Sequence, residues 1–269
     1  MYLEYWGLTE KPFENTSDPR FFYLSAQHQE AYSRLMYAIQ ERKAAAMISG
    51  IFGCGKTVLA SRLTADLSRN EFTAAYIFNP LVSHVELLSE IIYQLGKKET
   101  LPLQKSLILH KIQEMLIHNY EDGKHTIIMI DEAHLIEDGI IFEELRLLLN
   151  LVHQNKFLLT LLLFGQPELR EKVFNLKALE QRITIRYHLS GLKIEETKPY
   201  VIHRLQVSGV SRAIFREDSF PSLFHCFGGI PRRINQVCDL ALLVGMGKGL
   251  KEINQETIEE VASEFQLQP

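Results

Sequence analysis

Gly50-Ile51-Phe52-Gly53-Cys54-Gly55-Lys56-Thr57 sets three glycines, a lysine and a hydroxyl within eight positions. The fixed positions are those of G-x-x-x-x-G-K-[ST], a phosphate loop. Glycines let the backbone curl so that successive N–H groups point inward at phosphate oxygens. A helix starting at Lys56 adds the positive end of its dipole. Lys56 is placed to reach β- and γ-phosphates, and the Thr57 hydroxyl to ligate Mg²⁺. Gly50, Gly53, Cys54, Gly55, Lys56, Thr57 and Val58 are therefore the candidate contacts for ATP. Cys54 is read as a small residue that fits the loop, although a helix N-terminus also favours a thiolate.

A second group follows the apolar run Thr126-Ile127-Ile128-Met129-Ile130, which ends in Asp131-Glu132. A strand buried on both faces reads as such a continuous run. Ligands of open parallel sheets bind at the carboxyl ends of the strands. Asp131 is placed to hold the Mg²⁺ shell, and Glu132 to orient and polarise an attacking water. A third strand, 157–164, delivers Gln166 to the same end. The string Asp131-Glu132-Ala133-His134 also occurs in a class of helicases. That class needs two phosphate-binding cores, and this chain carries one phosphate loop.

The elements that must position these groups are legible in outline. Residues 44–49 form the strand before the loop, and Val58-Leu59-Ala60-Ser61-Arg62-Leu63 opens the helix after it. Further strands are expected at 73–78 and 183–189. Helices are expected from Ser25 to about Arg42, and from Ser83 to Leu95 with Glu86 completing a capping box. Others are expected at 103–120, 139–152 and 176–181, with a short one opening at Pro167. The stretch 96–102 is expected to break the pattern. The aromatic N-terminus, Tyr5 to Phe13, is expected to lack a regular element, and the aromatic cluster from Asp18 to Leu24 to pack against the core or wrap over a planar base. Beyond Gly191 the strands stop, and helices are expected at 194–207, 218–227, 232–244 and 254–265. The fold class is α/β: a parallel β-sheet core flanked by helices, plus a small all-helical C-terminal lid. The expected boundaries are 1–190, with 1–24 a segment on the nucleotide side, and 191–269.

Composition narrows the class further. The chain has 269 residues, is 46% hydrophobic and 23% charged, and carries a net charge of −4. Those proportions are ordinary for a globular protein, and the net charge gives no general attraction to nucleic acid. Cys54, Cys226 and Cys238 are odd in number and lack C-x-x-C spacing, which fits a reducing compartment. No leader is visible, and no run approaches the roughly 18 apolar residues of a membrane span.

The constellation resembles the AAA+ ATPases. More closely, Tyr5-Trp6-Gly7-Leu8 with Lys11-Pro12-Phe13, then Asp18-Pro19-Arg20-Phe21-Phe22-Tyr23 and His28-Gln29-Glu30-Ala31, resembles the ExeA/GspA-like ATPases of general (type II) secretion. Gly165-Gln166-Pro167-Glu168-Leu169 and Gly228-Gly229-Ile230-Pro231-Arg232-Arg233-Ile234-Asn235 are similar to later motifs of that family. The resemblance implies roles. Gln166 falls at sensor 1, where Asn or Thr is commoner. Arg182 is the first choice for an arginine finger, with Arg186 and Arg170 as rivals. Arg232 falls at sensor 2, with Arg233 as alternative. Phe13 and Tyr23 are candidates for the adenine.

The resemblance also implies a Mg²⁺-dependent ATPase that forms homo-oligomers and assembles or remodels a bacterial envelope or secretion complex. ExeA-like proteins carry a transmembrane helix and a peptidoglycan-binding part after this module, so either a cytoplasmic fragment or a stand-alone ATPase is expected. Its place is then the bacterial cytoplasm, at the inner face of the inner membrane through a partner or a further segment. The competing reading is a DNA-binding switch of the transposition type (TniB/MuB-like), acting on duplex DNA. Its basic pairs would be Arg42-Lys43, Lys97-Lys98, Arg232-Arg233 and Lys248 with Lys251.

Overall fold

A computed structural model describes residues 1–16, 18–96 and 104–266. In chain order the elements are α1 (Tyr2–Trp6), α2 (Ala26–Gln40), β1 (Ala45–Gly50), α3 (Lys56–Asp66), β2 (Phe72–Ile77), α4 (His84–Gln94), α5 (Lys105–Glu121), β3 (His125–Ile130), α6 (Gly139–Leu148), β4 (Val152–His153), β5 (Lys156–Phe157), β6 (Leu159–Gly165), α7 (Glu168–Asn175), α8 (Lys177–Glu180), β7 (Ile183–Leu189), α9 (Ile194–Val207), α10 (Ser219–Phe227), α11 (Pro231–Gly247) and α12 (Gln255–Gln266). The expected break at 96–102 and the pair Lys97-Lys98 lie almost wholly outside the described residues.

Local chemistry accounts for most boundaries. Ser83 and Glu86 close a reciprocal capping box at the start of α4. Pro231, which has no N–H to satisfy, opens α11. Two expectations are corrected. The helix expected to run to Val152 ends at Leu148, because residues 152–157 form a two-stranded hairpin, β4 with β5. Its turn takes Gln154 and Asn155 to φ 47° and 60°, without the glycine that usually marks such a turn. The N-terminus, expected to be irregular, begins with the five-residue helix α1.

Contacts divide the chain into two compact units: His28–Phe52 with Leu59–Leu189, and Met1–Gln27 with Gly53–Val58 and Ser190–Pro269. The first holds a five-stranded parallel sheet in the order β2-β3-β6-β1-β7. Every residue of β1, β3 and β6 is buried, as parallel strands covered on both faces require. The edge strand β7 instead alternates. Leu88, Ile91, Ile112, Leu116, Ile128 and Leu163 lie in the core that holds α4 and α5 to the sheet.

The second unit is helical. Its core joins Tyr2, Trp6, Leu8 and Phe13 to residues of α9, α10, α11 and α12. The N-terminal segment was expected within the α/β domain. It sits instead in the helical unit, because its aromatics find their apolar partners there. Arg204 of α9 reinforces the join by donating to the backbone carbonyls of Pro12 and, at 2.7 Å, Glu14. Phe13 is 2% exposed and packs edge-on against Phe215, with ring centroids 6.0 Å apart, which withdraws it as an adenine contact.

Candidate functional site

The site in the sheet unit follows from strand order. β6 lies between β1 and β3, with Ser49 paired to Gly165 and Ile130 paired to Leu163. Strands of one direction and matched register end together. Gly50, Asp131 and Gln166, distant in sequence, therefore emerge at one sheet edge.

Asp131 is 2% exposed and firmly held. Its Oδ2 accepts from the Tyr76 hydroxyl at 2.9 Å, and its Oδ1 accepts the Glu132 N–H at 2.9 Å. Burial, then the Asp131 charge, pushes the Tyr76 phenol well above its ordinary value. The phenol therefore stays protonated and fixes one face of the carboxylate. Tyr76 was missed in the sequence. It is the next-to-last residue of the edge strand β2, paired with Met129 in the neighbouring strand, and a polar tip at the carboxyl end of a strand was the available signal.

Glu132 has φ +48°, a left-handed backbone in a residue other than glycine. Such conformations persist where the surroundings over-determine them, and they concentrate at functional sites. Its side chain is 31% exposed, yet Oε2 is buried without a hydrogen-bond partner. His134 Nδ1, likewise buried and without one, lies 3.4 Å from that oxygen. On the other side of the ring, His134 Nε2 lies 2.9 Å from Gln166 Nε2. Lys172 of α7 pins the turn by donating to the carbonyls of His134 at 2.5 Å and Ile136 at 2.8 Å.

The phosphate loop has its own geometry. Gly53 and Gly55 take φ +81° and +101°, the backbone that aims successive N–H groups into a concavity. Cys54 is fully buried and Lys56, first residue of α3, is 5% exposed. Thr57 and Val58 are half-buried. Against Gly53 stands the start of α11. Arg232 N–H donates to Gly53 O at 3.3 Å, and a Cβ on Gly53 would lie 2.8 Å from Arg232 Cβ. Gly53 is thus required both for its φ and for the closeness of Arg232. Arg232 is half-buried and Arg233 exposed.

The three candidate fingers differ in engagement. Arg182 donates to Leu149 O at 3.3 Å and Asn150 Oδ1 at 2.5 Å. Arg186 pairs with Glu180 at 3.1 Å. Arg170 is exposed and borders a cavity of about 830 Å³ that Arg186 also lines. Among the described residues no three His, Cys, Asp or Glu side chains cluster as a self-sufficient metal site.

The AAA domain family matches residues 39–173, half of the chain and all three strand ends just described. The chain belongs to the AAA family. It is 37% identical over 257 residues to general secretion pathway protein A of Aeromonas hydrophila, covering 94% of this chain. The chain spans about half of that relative, 46% of its length.

Solved structures agree on the fold. The ORC2 protein of Aeropyrum pernix matches with a TM-score of 0.69 and 17% identity, over 95% of this chain and 71% of that one. Drosophila ORC bound to DNA matches at 0.72 and 14%, over 99% and 66%. The RuvB branch migration motor of Thermotoga maritima matches at 0.57 and 14%, over 88% and 67%. The AAA fold implies nucleotide binding. No helix among the described residues is long and apolar enough to cross a membrane.

Proposed function

We propose that this chain binds ATP and hydrolyses it with Mg²⁺, and that it self-assembles to build or remodel a bacterial envelope complex of the secretion type. The observation that carries the reading is the shared exit of Gly50, Asp131-Glu132 and Gln166 from adjacent strands of an AAA core. The process is inferred from the similarity to general secretion pathway protein A.

The residues divide the work. The N–H groups of residues 53–57 and the Lys56 ammonium hold the β- and γ-phosphates. Mg²⁺, when bound, neutralises charge developing on those phosphates, with the Thr57 hydroxyl and the Asp131 carboxylate as its protein ligands. Glu132 accepts the hydrogen bond of the attacking water and so directs a lone pair at phosphorus. Gln166 contacts the γ-phosphate side, and Arg232 tells the helical unit whether the loop is occupied. Arg182 serves as the guanidinium offered to a neighbouring subunit. The fit of an anion is supported by the paired positive-φ glycines and the buried Lys56.

ATP turnover measured against protein concentration, with and without duplex DNA at fixed salt, tests the reading. Specific activity that rises with concentration and ignores DNA supports it. Turnover that requires DNA replaces the secretion role with the DNA-binding switch. No turnover in any condition removes the hydrolytic reading.

A further inference from the structure

The buried atoms of the turn after β3 point to a task that the phosphate-binding roles leave unassigned. Two polar atoms there, Glu132 Oε2 and His134 Nδ1, are buried without hydrogen bonds and lie 3.4 Å apart. An unpartnered buried polar atom is costly, so two facing each other mark a pair held just short of closure. The opposite ring nitrogen is engaged with the side chain of Gln166. The Gln166 amide N–H donating to His134 Nε2 places the ring proton on Nδ1, whose nitrogen lies 3.4 Å from the glutamate oxygen.

The ring itself has little freedom. His134 is 9% exposed at its side chain. Its carbonyl is clamped by Lys172, and its N–H lies only 3.1 Å from where a Cβ on Gly165 would stand. Gly165 is the residue before Gln166, so the turn and the end of β6 are packed backbone against backbone. A shift of Gln166 must therefore move the imidazole, and the imidazole faces the glutamate.

We infer that His134 is a positioning residue for ATP hydrolysis, its imidazole joining the Gln166 amide to the Glu132 carboxylate so that the position of Gln166 sets where Glu132 points. The inference rests on the hydrolytic reading and deepens it. With Gln166 held as in this structure, Nδ1 stops short of Oε2 at 3.4 Å. When Gln166 engages a γ-phosphate, the shift carried through its amide brings the Nδ1–H onto Oε2 and leaves the other carboxylate oxygen directed at the water. No proton is transferred to the imidazole in this scheme; it gains a hydrogen bond.

Steady-state turnover and ATP affinity of the full chain, for Glu132→Gln, His134→Ala, Gln166→Ala and the His134→Ala/Gln166→Ala double variant, test it. His134→Ala is expected to lower kcat by about tenfold or more, while KM and ATP affinity stay within about threefold. Gln166→Ala is expected to behave alike, and the double variant to be no worse than about twofold below the poorer single, as members of one unit do. His134→Asn keeps a donor near the Nδ1 position but cannot reach Gln166, so adding Gln166→Ala to it is expected to cost no more than about twofold in further turnover.

Losses that multiply in the double variant overturn the relay, as does a kcat within about twofold of wild type for His134→Ala beside a dead Glu132→Gln. A fall of melting temperature and ATP affinity in step with kcat assigns His134 to structure alone and also overturns it. A Glu132→Gln variant that turns over normally sinks the hydrolytic reading, and the relay with it.

Discussion

Glu132 shows how a single residue can carry both strain and function. Its φ of +48° leaves a carboxylate half in solvent with one oxygen buried, beside an Asp131 locked by Tyr76. An amide cannot polarise the attacking water as a carboxylate does, so Glu132→Gln is expected to cut turnover by about 10²-fold or more while ATP binding is kept. A variant that loses affinity equally would place Glu132 in binding instead. Arg182 makes a different case. A finger acting in trans must leave its own subunit, yet Arg182 donates to Leu149 O and Asn150 Oδ1. Arg182→Ala is expected to lower assembled turnover by about 10³-fold without loss of ATP binding. The same loss from Arg170→Ala, with Arg182→Ala mild, would move the finger to the exposed arginine. Mixing each variant with a Lys56→Ala subunit, which keeps its own arginine, separates action in trans from local bracing.

At the level of elements, α1 is the instructive case. Trp6 is 1% exposed, donates its indole N–H to Leu242 O at 2.9 Å and packs onto Gly245 of α11. A Cβ at Gly245 would come within 3.0 Å of the indole and 2.4 Å of Ile253 Cδ1, so the glycine in the last turn of α11 is there to admit the ring. Trp6→Ala is expected to destabilise the helical unit by about 3–5 kcal/mol, read as a lower urea midpoint by far-UV circular dichroism. An unchanged midpoint would show that α1 is only draped on that unit. None of this was legible beforehand, because five residues followed by a glycine carry too little periodicity to declare a helix. The buried parallel strands were legible, since β1, β3 and β6 are mostly apolar runs, and so were the phosphate loop and the acidic pair after β3. The hairpin β4–β5 was hidden because Gln154 and Asn155 turn it without glycine. The contact of His134 with Gln166 was hidden for a topological reason. The two residues are 32 apart, and they meet only because β6 inserts between β1 and β3.

At the scale of the whole molecule, the sheet unit carries a built-in dependence on pH. His125, first residue of β3, is 2% exposed. Its Nε2 lies 2.8 Å from Thr160 Oγ1, and that hydroxyl donates to Lys43 O at 2.7 Å. The hydroxyl's proton is thereby committed, so Nε2 must carry the ring proton and Nδ1 is bare, buried and without a partner. Burial, then the Arg42 charge, lowers the His125 pKa from 6.5 to about 4. The unfolded chain thus binds more protons than the folded one between those values, and stability rises with pH across that window. Above pH 6.5 the contribution is complete; it is lost as pH falls toward 4. Between pH 7 and pH 5 this residue alone is expected to remove up to about 2 kcal/mol from the sheet unit. His125→Gln keeps an N–H for the Thr160 hydroxyl but cannot titrate. Urea unfolding of the two proteins at pH 7 and pH 5 checks the account: the wild-type midpoint should fall more steeply than the variant's. Parallel losses would mean that His125 is silent and that other groups set the acid limit of the fold.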